Sequence, residues 1–303
     1  MRTLTTPAKI NWFLQVLHRR ADGFHEIRSL MQKIAIYDTL TFQRSDELLL
    51  QSDVPVKMED NLVFKAADRL KKYSGFSRGA SIKLEKNIPM GAGLGGGSSD
   101  AAAVLIGLNS FWELNLSIKE LAGIGAEIGS DVPFFLYGAL CDASGRGELI
   151  SGRTVVGSCT ILLVKPEYGI SAAWAYGELA KKRRDTGVGI VEADIVPADH
   201  SVSKLTKKYT KDNNIEHFIS SVENAQPVAM PGIVLNDLEP VVVSSFPEIA
   251  EIKEKMIQNG AVMSLMSGSG STVFGVFDEW KAASKAADQF RECWTSVVRT
   301  ITD

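Results

Sequence analysis

Pro89-Met90-Gly91-Ala92-Gly93-Leu94-Gly95-Gly96-Gly97-Ser98-Ser99-Asp100 is the stretch on which the reading of this chain turns. Five glycines in the seven positions 91–97 leave the backbone bare, so successive N–H groups are free to turn toward one anion. Behind them, Ser98-Ser99-Asp100-Ala101-Ala102-Ala103-Val104-Leu105 sets a capping residue ahead of strong helix formers, which predicts a helix starting where the loop ends. Free amides and the positive end of the helix dipole favour phosphate at such a start. A glycine run by itself is more often a turn or linker than a nucleotide site. Here the alternating lead-in Ala80-Ser81-Ile82-Lys83-Leu84 reads as a strand, and strand, glycine loop and helix in that order point to a phosphate cradle. No Gly-Lys-Ser/Thr closes the loop, so it is not a Walker A loop, and residues 91–96 fit the dinucleotide pattern G-x-G-x-x-G only loosely. The serines and Asp100 behind it suit a metal-bound polyphosphate better than a dinucleotide.

The 303 residues are long for one core and comfortable for two. With 33 Lys and Arg against 36 Asp and Glu, the net charge of -3 gives no reason to expect nucleic acid or an anionic membrane as a partner. No apolar run approaches the roughly 18 residues of a membrane span. Residues 1–7 lack the charged and then apolar pattern of a signal peptide, so a cytoplasmic protein is expected. Cys141, Cys159 and Cys293 are scattered singly and read as reduced thiols, and His18, His25, His200 and His217 lack the spacing of metal ligands.

Taken in order, residues 7–17 read as a strand carrying Lys9 and Asn11 on the same face. Lys9 is compatible with a solvated strand edge, but the turn Arg19-Arg20-Ala21-Asp22-Gly23-Phe24-His25 that follows makes a binding edge plausible. Residues 29–36 and 38–42 read as two further strands. Asn61 caps an amphipathic helix with Leu62, Ala66 and Leu70 on one face. A helix over 117–128 stops at Gly129, and Pro133 then forbids continuation, which fixes Asp131 on a tight apolar turn. Asp131 is either a helix cap or a catalytic carboxylate in a dry pocket. Residues 138–148 read as a strand ending in a glycine turn.

Near residue 155 the pattern restarts, with a strand over 160–164 and a helix over 171–179. A polar stretch, 181–215, holds Lys181-Lys182-Arg183-Arg184 and reads as solvated surface. After the turn-like Asn236-Asp237-Leu238-Glu239-Pro240 come a helix over 247–259, strands over 261–266 and 272–277, a helix over 281–291 and a strand over 294–301. That order approaches a ferredoxin-like sandwich with extra helices. Ser267-Gly268-Ser269-Gly270-Ser271, between two of the strands, reads either as a hairpin turn or as a second loop allowing close backbone approach to a ligand.

Over nearly its whole length the chain resembles the GHMP small-molecule kinases. Pro7-Ala8-Lys9-Ile10-Asn11 with Arg20-Ala21-Asp22-Gly23-Phe24-His25, the glycine loop, residues 129–135, Asn236-Asp237-Leu238-Glu239 and residues 267–271 carry the resemblance. It implies an α+β protein of two domains: an N-terminal ribosomal-protein-like domain, 1–155, that binds ATP and carries catalysis, and a C-terminal ferredoxin-like substrate domain, 156–303. It implies ATP and Mg2+ as cofactors, and Lys9 and Asp131 as the catalytic pair, with the proton acceptor between them left open. ATP would lie on Pro89, Met90, Gly91, Ala92, Gly93, Leu94, Gly95, Gly96, Gly97, Ser98 and Ser99, with Asn61 and Lys86 near adenine. The Ala-Asp-Gly-Phe-His segment implies a small-molecule acceptor, cytidine diphosphate methylerythritol, phosphorylated on its 2-hydroxyl. Asn11, Phe24 and His25 would recognise its cytosine and Tyr176 stack on the far face. Arg146 would neutralise its phosphates, with Gly268 and Ser269 alongside. The chain departs from the family pattern at Phe24, a common tyrosine, at Gly138-Ala139 and at Ser171-Ala172. A kinase of homoserine or mevalonate type and a non-catalytic nucleotide-binding regulator are the alternatives, and a monomer or weak homodimer is expected.

Overall fold

The computed structural model describes residues 1–186, 213–227 and 235–302; residues 187–212 of the basic stretch 181–215 lie outside them. The N-terminal half is built on two long antiparallel strands, β1 (Arg2–Arg19) and β2 (His25–Ser45). β2 is one strand where the sequence suggests two. The apparent break is a bulge: the register passes from Pro7↔Tyr37 to Ala8↔Ile34, and Pro7 has no N–H to keep the ladder regular. β3 (Leu48–Ser52), β4 (Gly79–Glu85), β5 (Leu140–Ser144) and β6 (Leu149–Arg153) complete a sheet ordered β3-β4-β2-β5-β6, with β1 paired to β2. The short β3 and β6 are not anticipated from the sequence.

Helices α1 (Leu62–Ser74), α2 (Gly96–Phe111) and α3 (Ile118–Ile128) pack on this sheet. Asn61 caps α1 by accepting from the Val63 amide, and Val63, Ala66, Ala67 and Leu70 form its buried face. α3 opens with a capping box between Ser117 and Glu120. Most of α2 is buried, which its small residues permit: a Cβ on Gly107 would stand 2.7 Å from the Phe42 ring. The predicted phosphate-binding helix is therefore the central helix of this half.

The C-terminal half contains β7 (Thr160–Lys165), α4 (Ala172–Thr186), α5 (Asn213–Glu223), α6 (Glu239–Ser245), α7 (Glu248–Gln258), β8 (Met263–Met266), β9 (Val273–Phe277), α8 (Trp280–Ala287) and β10 (Trp294–Arg299). Its sheet runs β10-β7-β9-β8, antiparallel throughout, with the crossing order of a ferredoxin-like sandwich. α6 begins where a turn is expected, because Pro240 falls in its first turn, the position at which proline costs a helix nothing. α8 stops at Ala287, short of the predicted 291.

β1 knits the halves together. Its Ala8, Ile10 and Trp12 share a core with Ile161 and Leu163 of β7 and Phe274 and Val276 of β9. Trp12 donates to Gln32 Oε1 at 2.7 Å and meets the Phe274 ring edge-on at 5.6 Å. Leu14 N donates to Leu235 O, and Asp237 N donates to Leu14 O.

Candidate active site

A cleft of about 1030 Å³ opens between the halves. The glycine loop forms its floor. Gly91, Gly93 and Gly95 sit at φ of 60°, 73° and 69°, so every second residue takes the left-handed conformation open to glycine. Gly95 is the residue before α2, and the amides of Gly96, Gly97 and Ser98 in the first turn have no carbonyl within the helix to bond. Ser98 lines the cleft; Ser99 does not. The Ser99 amide donates to Gly95 O, its hydroxyl donates to Pro7 O at 2.5 Å beside Thr6, and it is fully buried. Consecutive helical side chains diverge by about 100°, so only one of the two serines can face the loop. Ser99 thereby anchors α2 to β1, with its side chain turned away from the cleft where a place on the phosphates is expected.

Residues 267–271 buttress this loop as well as facing the cleft. Ser267 Oγ donates to Gly93 O at 3.0 Å, Thr272 N donates to Ala92 O at 3.2 Å, and Ile170 N donates to Gly91 O at 3.3 Å. Gly268 and Ser269 line the cleft. A Cβ on Gly268 would stand 3.4 Å from Lys9 Nζ and 3.3 Å from Asn11 Oδ1.

Beside the loop, Lys9 and Asp131 form an ion pair at 3.4 Å; the Lys9 side chain is 5% exposed and that of Asp131 34%. Lys9 Nζ also donates to Asn11 Oδ1 at 2.6 Å, Asn11 Nδ2 donates to Ser29 Oγ at 2.9 Å, and Ser29 donates to Phe13 O at 2.6 Å. The lysine is thus oriented by a chain of hydrogen bonds that ends on the backbone, while Asp131 keeps one side open to the cleft. The turn that presents Asp131 follows from the residues around it. Gly129 closes α3, and the 3-10 turn Pro133–Leu136 buries Phe134 behind it.

At the end of the cleft where α1 begins, Asn61 and Lys86 both line it. Capping α1 occupies Asn61 Oδ1 and leaves its amide nitrogen for a ligand. The Lys86 ammonium is clamped by Asp38 and by Asp100 Oδ2, the latter at 2.8 Å, just beneath Gly96. Burial pushes the Asp100 carboxyl up to about 7, against the pull of Lys86. Among the described residues Asp100 Oδ1 has no hydrogen-bond partner. Neither aspartate's pairing with Lys86 is visible in the sequence, since Asp38 lies 48 positions away and Asp100 14.

At the other end stand Phe24, His25, Arg146 and Tyr176. The Arg146 guanidinium lies 4.8 Å from the Phe24 ring centroid and donates to Ala126 O, so it backs the aromatic ring. His25 and Tyr176 stack on each other with centroids 5.5 Å apart and planes 22° apart. Burial, then Arg183, Arg19 and His18, lowers the His25 pKa and favours the neutral ring. Burial, with Asp131 and Asp237 adding to it, pushes the Tyr176 hydroxyl up. Arg19 and Arg184 also line the cleft. The charge run Lys181-Lys182-Arg183-Arg184 is therefore not only solvated surface: Arg183 donates to Leu17 O at 2.9 Å and Val16 O at 2.7 Å and pairs with Asp237 at 3.2 Å. Among the described residues there is no group of three or more His, Cys, Asp or Glu placed to hold a metal ion.

A glycine cradle on a central helix, facing a ferredoxin-like half across a lysine–aspartate pair, is the architecture of a small-molecule kinase. Residues 61–139 match the family model for the GHMP kinases N terminal domain and residues 222–296 that for GHMP kinases C terminal, and the chain belongs to the GHMP kinases. It is 44% identical to the 4-diphosphocytidyl-2-C-methyl-D-erythritol kinase of Thermodesulfovibrio yellowstonii, an alignment covering 100% of this chain and 99% of that one. The enzyme of that name in Geobacter metallireducens is 38% identical, over 94% of this chain and 92% of its own. A crystal structure of 4-(cytidine 5'-diphospho)-2C-methyl-D-erythritol kinase superposes with a TM-score of 0.77 at 28% identity, covering all of both chains. A homoserine kinase from Cytophaga hutchinsonii, with a TM-score of 0.68 at 18% identity over 100% of this chain and 95% of its own, shares the fold.

Proposed function

We propose that this kinase transfers the terminal phosphoryl group of ATP to the 2-hydroxyl of 4-diphosphocytidyl-2-C-methyl-D-erythritol, in the non-mevalonate route to isoprenoid precursors. The observation that carries the reading is the Lys9–Asp131 pair at 3.4 Å, set between the glycine loop and the Phe24, His25, Tyr176 end of one cleft. The full-length relatives at 38–44% identity support this acceptor over homoserine or mevalonate. A non-catalytic regulator would have no need of a buried lysine held toward an open carboxylate.

In this reading residues 91–98 cradle the phosphates, and Asn61 and the wall around Lys86 flank adenine. Asp131, the more exposed member of the pair, takes the hydroxyl proton as the new bond to phosphorus forms. Lys9 donates to Asn11 and points its remaining protons at Asp131, holding the carboxylate in place and offsetting negative charge as it develops. The neutral His25 ring has one donor and one acceptor nitrogen, which suits the edge of cytosine. Arg19 and Arg184 supply positive charge for the acceptor's diphosphate. Mg2+ would neutralise the ATP phosphates; among the described residues the cleft offers the Ser98 hydroxyl and no carboxylate cluster, a donor set that fits an ion held mainly by phosphate and water. We place the division of labour near residue 155, with nucleotide and catalysis assigned to 1–155 and acceptor contacts added by 156–303. The protein would act in the cytoplasm on small molecules alone. An ATP-consumption assay comparing the cytidine diphosphate substrate with mevalonate and homoserine tests the assignment; preferred turnover of either of the latter two would overturn it.

A further inference from the structure

The acceptor end of the cleft is assembled from two turns far apart in sequence. One joins β1 to β2 and carries Phe24, which is 48% exposed. The other joins β5 to β6 and carries Arg146. Local bonds shape the first turn: Arg20 N donates to Phe24 O at 2.8 Å, Gly23 N donates to Arg20 O at 3.1 Å, and Phe24 N donates to Asp22 Oδ1 at 3.1 Å. None of these sets its position relative to the second turn. That link is made by Glu26, whose side chain is only 12% exposed. Its Oε2 accepts from Arg20 Nη1 at 2.7 Å, and its Oε1 accepts from the Gly145 amide at 2.9 Å. The backbone adds Ile27 N to Gly145 O at 2.8 Å. Gly145 sits at φ 70°, so its amide direction depends on a turn geometry that other residues rarely adopt. Arg146, next along, has its own amide bound to Glu148 Oε2 at 2.7 Å and its guanidinium on the Phe24 ring.

We propose that Glu26 is a positioning residue for the acceptor: by gripping both turns it seats Arg146 against one face of Phe24 and so fixes the platform on whose other face the nucleobase stacks. An exposed carboxylate paired with an arginine contributes little. Glu26 differs in being mostly buried and in bridging a cation to a backbone amide of another turn, where each bond constrains the other. The inference rests on the substrate reading above, and it assigns Glu26 no contact with the reacting atoms.

Full-length Glu26→Ala and Glu26→Gln, assayed beside the wild type and His25→Ala with the cytidine diphosphate substrate, test it. Glu26→Ala is expected to raise the acceptor KM roughly tenfold, with kcat within about twofold and the ATP KM unchanged, the signature of lost binding that is equal in ground and transition states. Glu26→Gln keeps an oxygen for the Gly145 amide and loses the charge opposite Arg20, so its acceptor KM should fall between the two. Equal rises in both Michaelis constants, or a lower kcat at unchanged acceptor KM, overturn the proposal. A wild type that does not phosphorylate the cytidine substrate overturns the substrate reading and this inference with it. Wild-type turnover with both Glu26 variants unaffected, while His25→Ala still weakens the acceptor, overturns this inference alone.

Discussion

Asp131→Asn keeps the shape of the side chain and removes its ability to take a proton. With Lys9 still held by Asn11, the cradle is undisturbed, so kcat should fall by about two orders of magnitude or more while the ATP KM stays near normal. Steady-state kinetics decide this, and near-normal turnover would remove Asp131 from the chemistry. His25 makes a prediction of a different kind. Its pKa lies below the ordinary histidine value, chiefly through burial and then the nearby cations, so the neutral ring persists as pH falls toward 6.5 and is lost only in more acid solution. A profile of kcat/KM for the acceptor should include an acid component below pH 6.5 that is present in the wild type and missing from His25→Gln. A limb at or above pH 6.5 would exclude His25 as its source. At this scale the sequence was legible where chemistry and local pattern coincide, as in Lys9 beside Asn11 and Asp131 before Pro133. It was not legible where two like residues sit side by side, as with Ser98 and Ser99, or where partners are distant, as with Asp38, Lys86 and Asp100. Helical phase and long-range pairing are decided by tertiary packing, and neither leaves a local signature.

The glycine loop behaves as an element because the C-terminal half closes on it. A Cβ on Gly93 would stand 2.2 Å from Ser267 O and 3.0 Å from Gly270 O, and its φ of 73° already disfavours a side chain. Gly93→Ala should therefore destabilise the protein by about 2 kcal/mol or more, from left-handed strain and the parting of the two loops, and raise the ATP KM. Gly123 is the control. It lies exposed within α3 with nothing within 4 Å of its would-be Cβ, so Gly123→Ala should stabilise by about 0.5–1 kcal/mol through helix propensity and leave both Michaelis constants alone. Thermal melts with ATP kinetics on the pair distinguish a loop built on glycine from a helix that merely contains one. Element boundaries show the same division between local and distant causes. The capping box at Ser117 and the cap at Asn61 announce their helices, whereas the bulge that makes β2 a single strand depends on Pro7 of the facing strand, and α6 is hidden by a proline that reads as a turn until its place in the first helical turn is known.

At the scale of the whole molecule, one family model falls in each half, yet the packing joins the halves through β1. Ala8, Ile10 and Trp12 are all fully buried, and much of what buries them belongs to β7, β9 and α5: Ile161, Leu163, Phe274 and Phe218. An N-terminal fragment ending at residue 155 would present that apolar face to water, at a cost of about 1.5–3 kcal/mol for each large side chain uncovered. Ile10 and Trp12 alone would cost about 3–6 kcal/mol, a large share of the 5–15 kcal/mol that typically separates folded from unfolded chains. Chains of this size commonly unfold domain by domain, so the shared core makes the opposite expectation a strict one. Urea unfolding followed by far-UV circular dichroism and by tryptophan fluorescence should give coincident transitions. Trp12 reports on the shared core and Trp112 on the packing of α1 to α3, so both should be lost together. The fragment 1–155 expressed alone should fail to show a cooperative melt. Separate transitions, or a fragment that melts cooperatively, would mean that the halves hold themselves up and that the cleft between them is free to open as a hinge. A single transition means that the glycine loop, the Lys9–Asp131 pair and the Phe24 turn belong to one cooperative folding unit, so that a substitution in the core around β1 weakens both walls of the cleft together.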